Sequence, residues 1–243
     1  MNLKIISYLF LFLAIGFLYS CKSAKLSDAE EKQRIGEYFE AAAIYRKVYT
    51  KTPPAKRDLR GYIAFRMAEC NRLINNTPRA TSAYMNALRY KYPDSIVNLR
   101  LGQMYQKSGR YGEAIKYYND YLLAEPGSVL AFNGVTGSEE AAKWKQSPTR
   151  YMVKRMDKFN SRRSEFSPML YGEKYDQLYF ASTRTPKGAG KDKEETNSAI
   201  TGQRNNDFFL VKQDENGAWQ APVELEDEVN TEFDEGTPSF SKD

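Results

Sequence analysis

The sequence predicts a multidomain chain, α then β: a solenoid of paired helices followed by the opening part of an antiparallel β unit. Two observations predict it. Tyrosine and alanine recur at a fixed interval through the first half, and beyond Trp144 that interval gives way to short aromatic and β-branched runs bounded by Gly, Asn, Asp and Pro. The length of 243 residues admits one large or two ordinary domains, and 41% hydrophobic residues are enough to pack them. Lys and Arg number 36 against 31 Asp and Glu, and the signs alternate along the chain; the formal charge of +5 forms no basic stripe, which argues against a nucleic-acid ligand. Histidine is absent, which removes Ser-His-Asp and Cys-His nucleophile activation, His-ligated zinc and an imidazole base at neutral pH. The expectation is a non-catalytic protein with no cofactor and no metal.

The chain begins with a short positive start, Met1 to Lys4, and an apolar run from Ile5 to Tyr19. That run suits a secretory signal core and falls short of the ~20 residues of a membrane-spanning helix. It ends Leu18-Tyr19-Ser20-Cys21 and is followed by the polar Lys22-Ser23-Ala24-Lys25. The segment resembles the bacterial lipobox, which implies cleavage after residue 20 and lipidation of Cys21. Residues 1–20 are then a lipoprotein signal peptide and 21–27 a lipidated linker. By the same resemblance, Lys22 in place of a retention aspartate implies an outer-membrane lipoprotein facing the periplasm. Each buried methylene contributes ~0.8 kcal/mol, so two or three acyl chains hold a protein where one holds it only reversibly. With Cys21 carrying lipid, Cys70 is an unpaired thiol, and its place among Phe65, Met67, Ala68 and Leu73 reads as a buried packing position.

Residues 28–145 carry the repeat. Gly36-Glu37-Tyr38-Phe39-Glu40-Ala41 is followed by Tyr45 and Pro53, and Gly109-Arg110-Tyr111-Gly112-Glu113-Ala114 by Tyr118 and Pro126, at the same offsets. Ala80, Tyr84 and Ala87 continue the pattern, with Ala80 to Ala114 and Tyr84 to Tyr118 each spanning 34 residues. That period, with Leu101-Gly102 and Tyr105 upstream of the last copy, resembles the tetratricopeptide repeat (TPR), and three repeats are expected. Small residues at Gly102 and Ala114 would let antiparallel helices approach, and Pro53 and Pro126 would end the second helices. Ser27 with Glu30 reads as a capping box that starts the first helix. Ala41 to Ala80 is 39 residues, so a five-residue insertion is expected near Pro53 to Asp58. Gly134 and Gly137 are expected to break a fourth helix beginning at Val129, leaving Ser138 to Trp144 as a terminal cap. The TPR resemblance implies a peptide-binding groove lined by first helices, with Tyr62, Phe65, Glu69, Arg72, Gln103 and Gln106 facing it.

Residues 146–165 read as a linker with a leading strand, through the turn-rich Gln146-Ser147-Pro148-Thr149. Strands are expected at Tyr151 to Met156, Gln177 to Thr183 and Asp207 to Gln213. Phe166-Ser167-Pro168 opens one unit and Gly236-Thr237-Pro238 another, with the two prolines 70 residues apart. Without the Gly- and Lys-rich insertion Arg184 to Asn206, read as a mobile surface loop, 47 residues remain, the size of one propeller blade. Asn216-Gly217 reads as a two-residue hairpin turn with both residues at positive φ. The acidic run Glu224, Glu226, Asp227, Glu228, Glu232, Asp234 and Glu235 reads as a solvated edge without calcium-loop spacing. The basic stretch Lys187 to Lys193 reads as a solvated loop. Residues 166–243 are thus the first blade of an incomplete β-propeller and the start of a second, and the chain is expected to be a fragment of a longer protein, since one blade cannot close a ring.

Phe159-Asn160-Ser161, Glu165-Phe166-Ser167-Pro168, Leu178 to Arg184, Val229-Asn230-Thr231 and Asp234 to Pro238 together resemble the start of the WD40-like propeller in PorE-type lipoproteins of the Bacteroidetes type IX secretion and gliding machinery. The resemblance implies a scaffold holding envelope and secretion-complex proteins, with peptidoglycan reached only through a downstream OmpA-like module absent from these residues. Two alternatives stand beside it: a nutrient- or glycan-binding surface lipoprotein, and the non-catalytic part of a propeller-bearing hydrolase. The lipobox has a direct test. Cys21→Ser is expected to abolish incorporation of labelled palmitate in cells; undiminished labelling would place the anchor elsewhere.

Overall fold

The structure is a computed structural model that describes residues 24–185, 197–226 and 228–241. Cys21 and the stretch Lys187 to Lys193 lie outside the described residues. The chain divides into two compact units between Val135 and Thr136.

Seven helices precede the sheet among the described residues: α1 (Leu26–Arg34), α2 (Tyr38–Lys51), α3 (Arg57–Leu73), α4 (Thr77–Arg89), α5 (Ile96–Lys107), α6 (Tyr111–Ala124) and α7 (Val129–Gln146). They pair as α1/α2, α3/α4 and α5/α6, and each pair turns in the same way. A left-handed residue follows the first helix, Gly36 at φ 87°, Asn75 at φ 63° and Gly109 at φ 72°. The next amide then reaches back to a terminal carbonyl: Glu37 N to Lys32 O at 2.9 Å, Asn76 N to Asn71 O at 2.8 Å, and Arg110 N to Tyr105 O at 2.9 Å. Carbonyls the helix leaves unpaired are satisfied this way, and the chain reverses within two residues.

The interior is built on three tyrosines. Tyr45, Tyr84 and Tyr118 are at most 1% exposed, and small residues surround them because a ring of that size fits between helices only where the facing backbone comes close. A Cβ on Gly102 would sit 2.6 Å from Tyr118 Cδ1, and one on Gly134 would sit 2.5 Å from its Cε2. Contacts between repeats define two layers. Tyr62 Oη donates to Glu30 Oε1 (2.8 Å), Arg100 pairs with Glu69 (3.3 Å) and Gln106 Nε2 donates to Gly134 O (3.4 Å), which joins α1, α3, α5 and α7. Tyr117 Oη lies 3.3 Å from Met85 Sδ, joining α4 to α6.

Four expectations are corrected here. Gly134 and Gly137 do not break the fourth helix, since α7 runs unbroken from Val129 to Gln146. Gly134 is present for clearance against Tyr118, and the packing gained outweighs its roughly 1 kcal/mol helix penalty. The five extra residues near Pro53 form no longer loop; they extend α3, which has 17 residues against 12 in α5. In that added turn Arg60 stacks on Tyr49 (4.1 Å) and Tyr90 (4.9 Å). The Ser27 capping box does not form, because α1 begins at Leu26 with Lys25 as its N-cap, and Ser27 Oγ bonds Asp28 instead. No strand forms at Tyr151 to Met156, where the backbone is irregular and Val153 is 96% exposed. Strand propensity there has no partner ladder among the described residues.

The second unit holds a four-stranded antiparallel meander: β1 (Glu165–Tyr171), β2 (Gln177–Ser182), β3 (Asp207–Lys212) and β4 (Val223–Glu224). β1 is interrupted between Phe166 and Met169, with Ser167 at φ 52° and Pro168 unable to donate to the ladder. One face carries Phe180, Phe209 and Val211, buried under Phe159 and Trp219, whose rings meet edge-on at 5.4 Å. On the other face Tyr171 and Tyr179 hold Phe240 at 4.4 and 4.7 Å. Arg184 locks the first face, donating to Glu165 Oε1 (3.0 Å), Ser182 Oγ (3.0 Å) and Phe159 O while lying over Phe180 and Phe209.

The turn at Asn216-Gly217 also differs from expectation. Only Gly217 takes positive φ (76°), and the loop closes on the Asp214 carboxylate, which accepts from Asn216 N (3.0 Å) and Ala218 N (2.9 Å). The described end of the insertion, residues 197–206, is tied down: Arg204 donates to Arg184 O (2.8 Å) and pairs with Asp207 (2.6 Å). Two members of the acidic run accept backbone hydrogen bonds. Asp234 accepts from Asn206 N (3.0 Å), and Glu235 from Thr231 N and Oγ1 (both 2.7 Å).

Gly134→Ala is expected to destabilise the helical unit by about 1–3 kcal/mol, since a ring wedged between two glycines has nowhere to shift. Gly112→Ala, in α6 with open space around it, is expected to raise the melting temperature slightly. Thermal melts followed by circular dichroism check the opposite signs.

Candidate functional site

The face made by the first helices of each pair brings the six expected residues together, Tyr62, Phe65, Glu69 and Arg72 from α3 and Gln103 and Gln106 from α5. All six are half-buried, and every one already has a partner within the solenoid. Phe65 stacks on Tyr92 with ring centroids 4.5 Å apart and planes 12° apart, forming an aromatic shelf at the junction of two repeats. Tyr62 bridges α3 to α1 through Glu30. Its hydroxyl is pushed up to about 12, by burial first and then by that carboxylate, so it remains a donor at neutral pH.

Glu69 is the centre of the face. Arg72 Nη2 donates to Oε2 at 2.7 Å and Arg72 Nε to Oε1 at 3.2 Å, the Tyr84 hydroxyl donates to Oε1, and Arg100 Nε lies 3.3 Å from Oε1 without hydrogen-bond alignment. Burial raises the Glu69 carboxyl, but the bonds from Arg72 and Tyr84 and the charges of Arg72 and Arg100 outweigh it and hold the group below the usual carboxylate range. Arg100 turns its other arm to Gln103, donating to Oε1 at 3.1 Å. Gln106 accepts the Tyr118 hydroxyl at 2.7 Å. The network therefore couples α3, α4 and α5 into one polar strip with side chains 15–24% exposed at Glu69, Arg72 and Arg100.

Arg66, Arg100 and Tyr92 belong to this face and were not singled out in the sequence, and Glu30, read there as part of a capping box, belongs to it as the acceptor of Tyr62. The signal was present for two of them: Arg66 and Arg100 stand one 34-residue period apart, and each meets a side chain of the preceding repeat, Tyr45 and Glu69. Arg66 Nε is buried without a hydrogen-bond acceptor, its guanidinium 5.9 Å from the Tyr62 ring. Chemically the face offers an aromatic shelf, amide edges and a guanidinium row, suited to hydrogen bonding an extended or helical peptide. Cys70, beneath it, is fully buried and its thiol is pushed up to about 12 by burial, so it packs and does not react. Among the described residues no group of three or more His, Cys, Asp and Glu is placed to hold a metal ion, and no described helix is long and apolar enough to cross a membrane.

Residues 97–128, covering most of α5, α6 and the loop to α7, match the tetratricopeptide repeat family. Similar solved structures include the MamA protein, at 17% identity and TM-score 0.44 over 50% of this chain and 64% of that one. Another is the Sgt2 TPR domain from Aspergillus fumigatus, at 16% identity and TM-score 0.42 over 59% of this chain and 93% of that domain. The chain thus spans about two thirds of the MamA chain. No curated protein matches it in sequence. The helical unit is a TPR-like solenoid of paired helices, and a small antiparallel sheet follows it in the chain.

Because the Glu69 pKa is lowered on folding, its stabilising contribution is complete above the unfolded value of 4.5 and is lost as pH falls through the folded one. Glu69→Gln is expected to destabilise the unit by about 1–3 kcal/mol at neutral pH, leaving two arginines without their anion. The gap to wild type should narrow as pH drops below about 4.5. Melts across that range check it, and a gap independent of pH would refute the account of Glu69.

Proposed function

We propose that this chain is a non-catalytic scaffold lipoprotein of the outer membrane, holding proteins of an envelope complex through the first-helix face of its TPR unit. The observation that carries the reading is the polar strip itself. Tyr62, Phe65, Glu69, Arg72, Gln103 and Gln106 converge on one face of two consecutive repeats, where TPR stacks generally hold protein segments. What supports the anchor is Leu18-Tyr19-Ser20-Cys21 behind an apolar leader. What supports the envelope and type IX secretion setting is the resemblance to PorE-type lipoproteins, under which the parent protein reaches peptidoglycan through a further module.

The reading extends to the sheet as the first blade of a β-propeller. Two features support it. Asn160, Ser161, Glu165 and Pro168 recur 70 residues later as Asn230, Thr231, Glu235 and Pro238, and both copies build the same turn. Glu165 accepts from Ser161 N (3.1 Å) and Oγ (2.5 Å) as Glu235 does from Thr231. The corresponding Ser167 and Thr237 touch, with hydroxyl oxygens 3.2 Å apart, as the opening strands of neighbouring blades would. The sheet also carries aromatic residues on both faces, and an apolar hollow of 230 Å³ lined by Met156, Phe159, Phe166 and Phe180 lies on one of them. A sheet apolar on both sides suits a position between two other layers.

Arg72→Glu combined with Gln103→Glu reverses the polarity of the strip at half-exposed positions. Because Arg72 pairs with Glu69, the double variant is expected to melt below wild type; at a growth temperature where circular dichroism shows it folded, it is expected to lose most envelope partners recovered by affinity purification of the intact protein from cross-linked cells. Unchanged recovery would remove the first-helix face from the function.

A further inference from the structure

The opposite layer of the solenoid carries a feature that the scaffold reading does not use. Between the second helices α2 and α4, over α3, lies a trough of 890 Å³. Its floor is apolar, with Phe39, Ala43, Met67 and Ile74, and its walls hold Arg46, Lys47 and Lys51 on α2 and Arg79 on α4. All four cations are exposed and, among the described residues, none has an ion-pair partner. No carboxylate lines the trough: α4 has no acidic residue and the one acid of α2, Glu40, is held by Lys32 at 2.7 Å.

The trough exists because of one small side chain in the repeat. At the next junction the position of Ala83 is taken by Tyr117, which stacks on Tyr105 at 5.3 Å and reaches Met85. There the space is filled from within. The charged positions also change, Arg46, Lys47, Lys51 and Arg79 becoming Met85, Asn86, Tyr90 and Glu113 one repeat on. Thr50 and Ser82 become Arg89 and Lys116, but Glu113 and Asp120 balance them, so the net charge of the lining positions falls from +4 at the first junction to zero at the second, where the ring also closes the space.

We propose that the α2/α4 trough is a second docking surface, and that its occupant is an acidic amphipathic helix of a partner protein. The occupant's apolar side would lie on Phe39, Ala43, Met67 and Ile74 and its carboxylates would face the cations on both walls. Charge complementarity selects the occupant: four cations without an ion-pair partner among the described residues repel a basic segment and favour an acidic one, for which no carboxylate of the lining competes. A recessed trough favours a helix of about 10–12 Å diameter over a membrane surface, which meets protruding cations and not hollows.

The test is a display library of random peptides about 15 residues long, panned on the full chain. Enriched peptides are expected to be acidic with apolar residues at helical spacing, to weaken with rising ionic strength, and to lose about tenfold or more in affinity for the double variant Arg46→Glu, Arg79→Glu. Ser82→Trp, which fills the trough from an exposed position without altering charge, should act likewise, and both variants should keep the wild-type melting curve. Three outcomes overturn the proposal: peptides without acidic bias, binding indifferent to both variants, or binding lost only on Arg72→Glu with Gln103→Glu, which would place the peptides on the first-helix face. A fourth is binding of phosphatidylglycerol vesicles, lost with the charge reversal while no peptide is enriched, which would make the surface a membrane contact.

Discussion

The helical unit depends on one packing constraint, a buried tyrosine ring closed in by residues too small to push it away. Tyr118 shows it most fully, with Gly102 on one side, Gly134 on the other and Gln106 receiving its hydroxyl. Burying such a ring contributes on the order of 2–3 kcal/mol, but only if its hydroxyl finds an acceptor, because an unmet one costs a similar amount. The first helix of each repeat therefore has to supply both a small residue to admit the ring and a polar residue to meet its tip. Gln33, Glu69 and Gln106 are those acceptors, and the face on which they stand becomes polar as a consequence of packing. An interaction surface and a core requirement are met by the same side chains.

That sharing shapes what the face can recognise. Glu69 holds Tyr84, Arg72 and Arg100 together, so a ligand cannot simply displace one member without exposing another. The network is only 15–24% exposed, which strengthens its internal pairs relative to surface ion pairs and keeps its geometry fixed before any partner arrives. Under the scaffold proposal, the edges left over from the network for a partner are the amide groups of Gln103 and Gln106, the outer arms of the arginines, and the Phe65–Tyr92 shelf.

The 34-residue interval was legible because the positions that repeat are those that packing cannot vary, the tyrosine and its small neighbours. What lay between them was less so. Glycine at 134 reads locally as a helix breaker, since its cost is local while the contact that justifies it comes from a residue 16 positions earlier. The insertion expected near Pro53 to Asp58 carried no sign of its form; arginines at 57 and 60 find tyrosine rings to stack on, and the extra residues lengthen a helix. Tyr151 to Met156 has the composition of a strand and lacks the neighbour that makes one. The six positions came from the TPR resemblance and the structure brings them onto one face; Arg100, which meets two of them, required knowing which repeat faces which.

The two layers of the solenoid also divide the charge. Carboxylates of the first-helix layer, Glu30 and Glu69, sit half-buried and engaged, and Glu69 neutralises Arg72 and Arg100 from within that layer. The second-helix layer between α2 and α4 has no such internal partner for its cations. Packing explains the first arrangement, because a half-buried carboxylate beside a tyrosine hydroxyl needs a guanidinium close by. It offers no reason for the second, where the cations stand exposed around a hollow that the following repeat fills with a ring of its own. A feature that the fold requires recurs with the fold's period, and the Tyr–acceptor pairs do. The basic trough is found at the junction where alanine stands in place of tyrosine and not at the next, so the packing that repeats with the fold does not account for it.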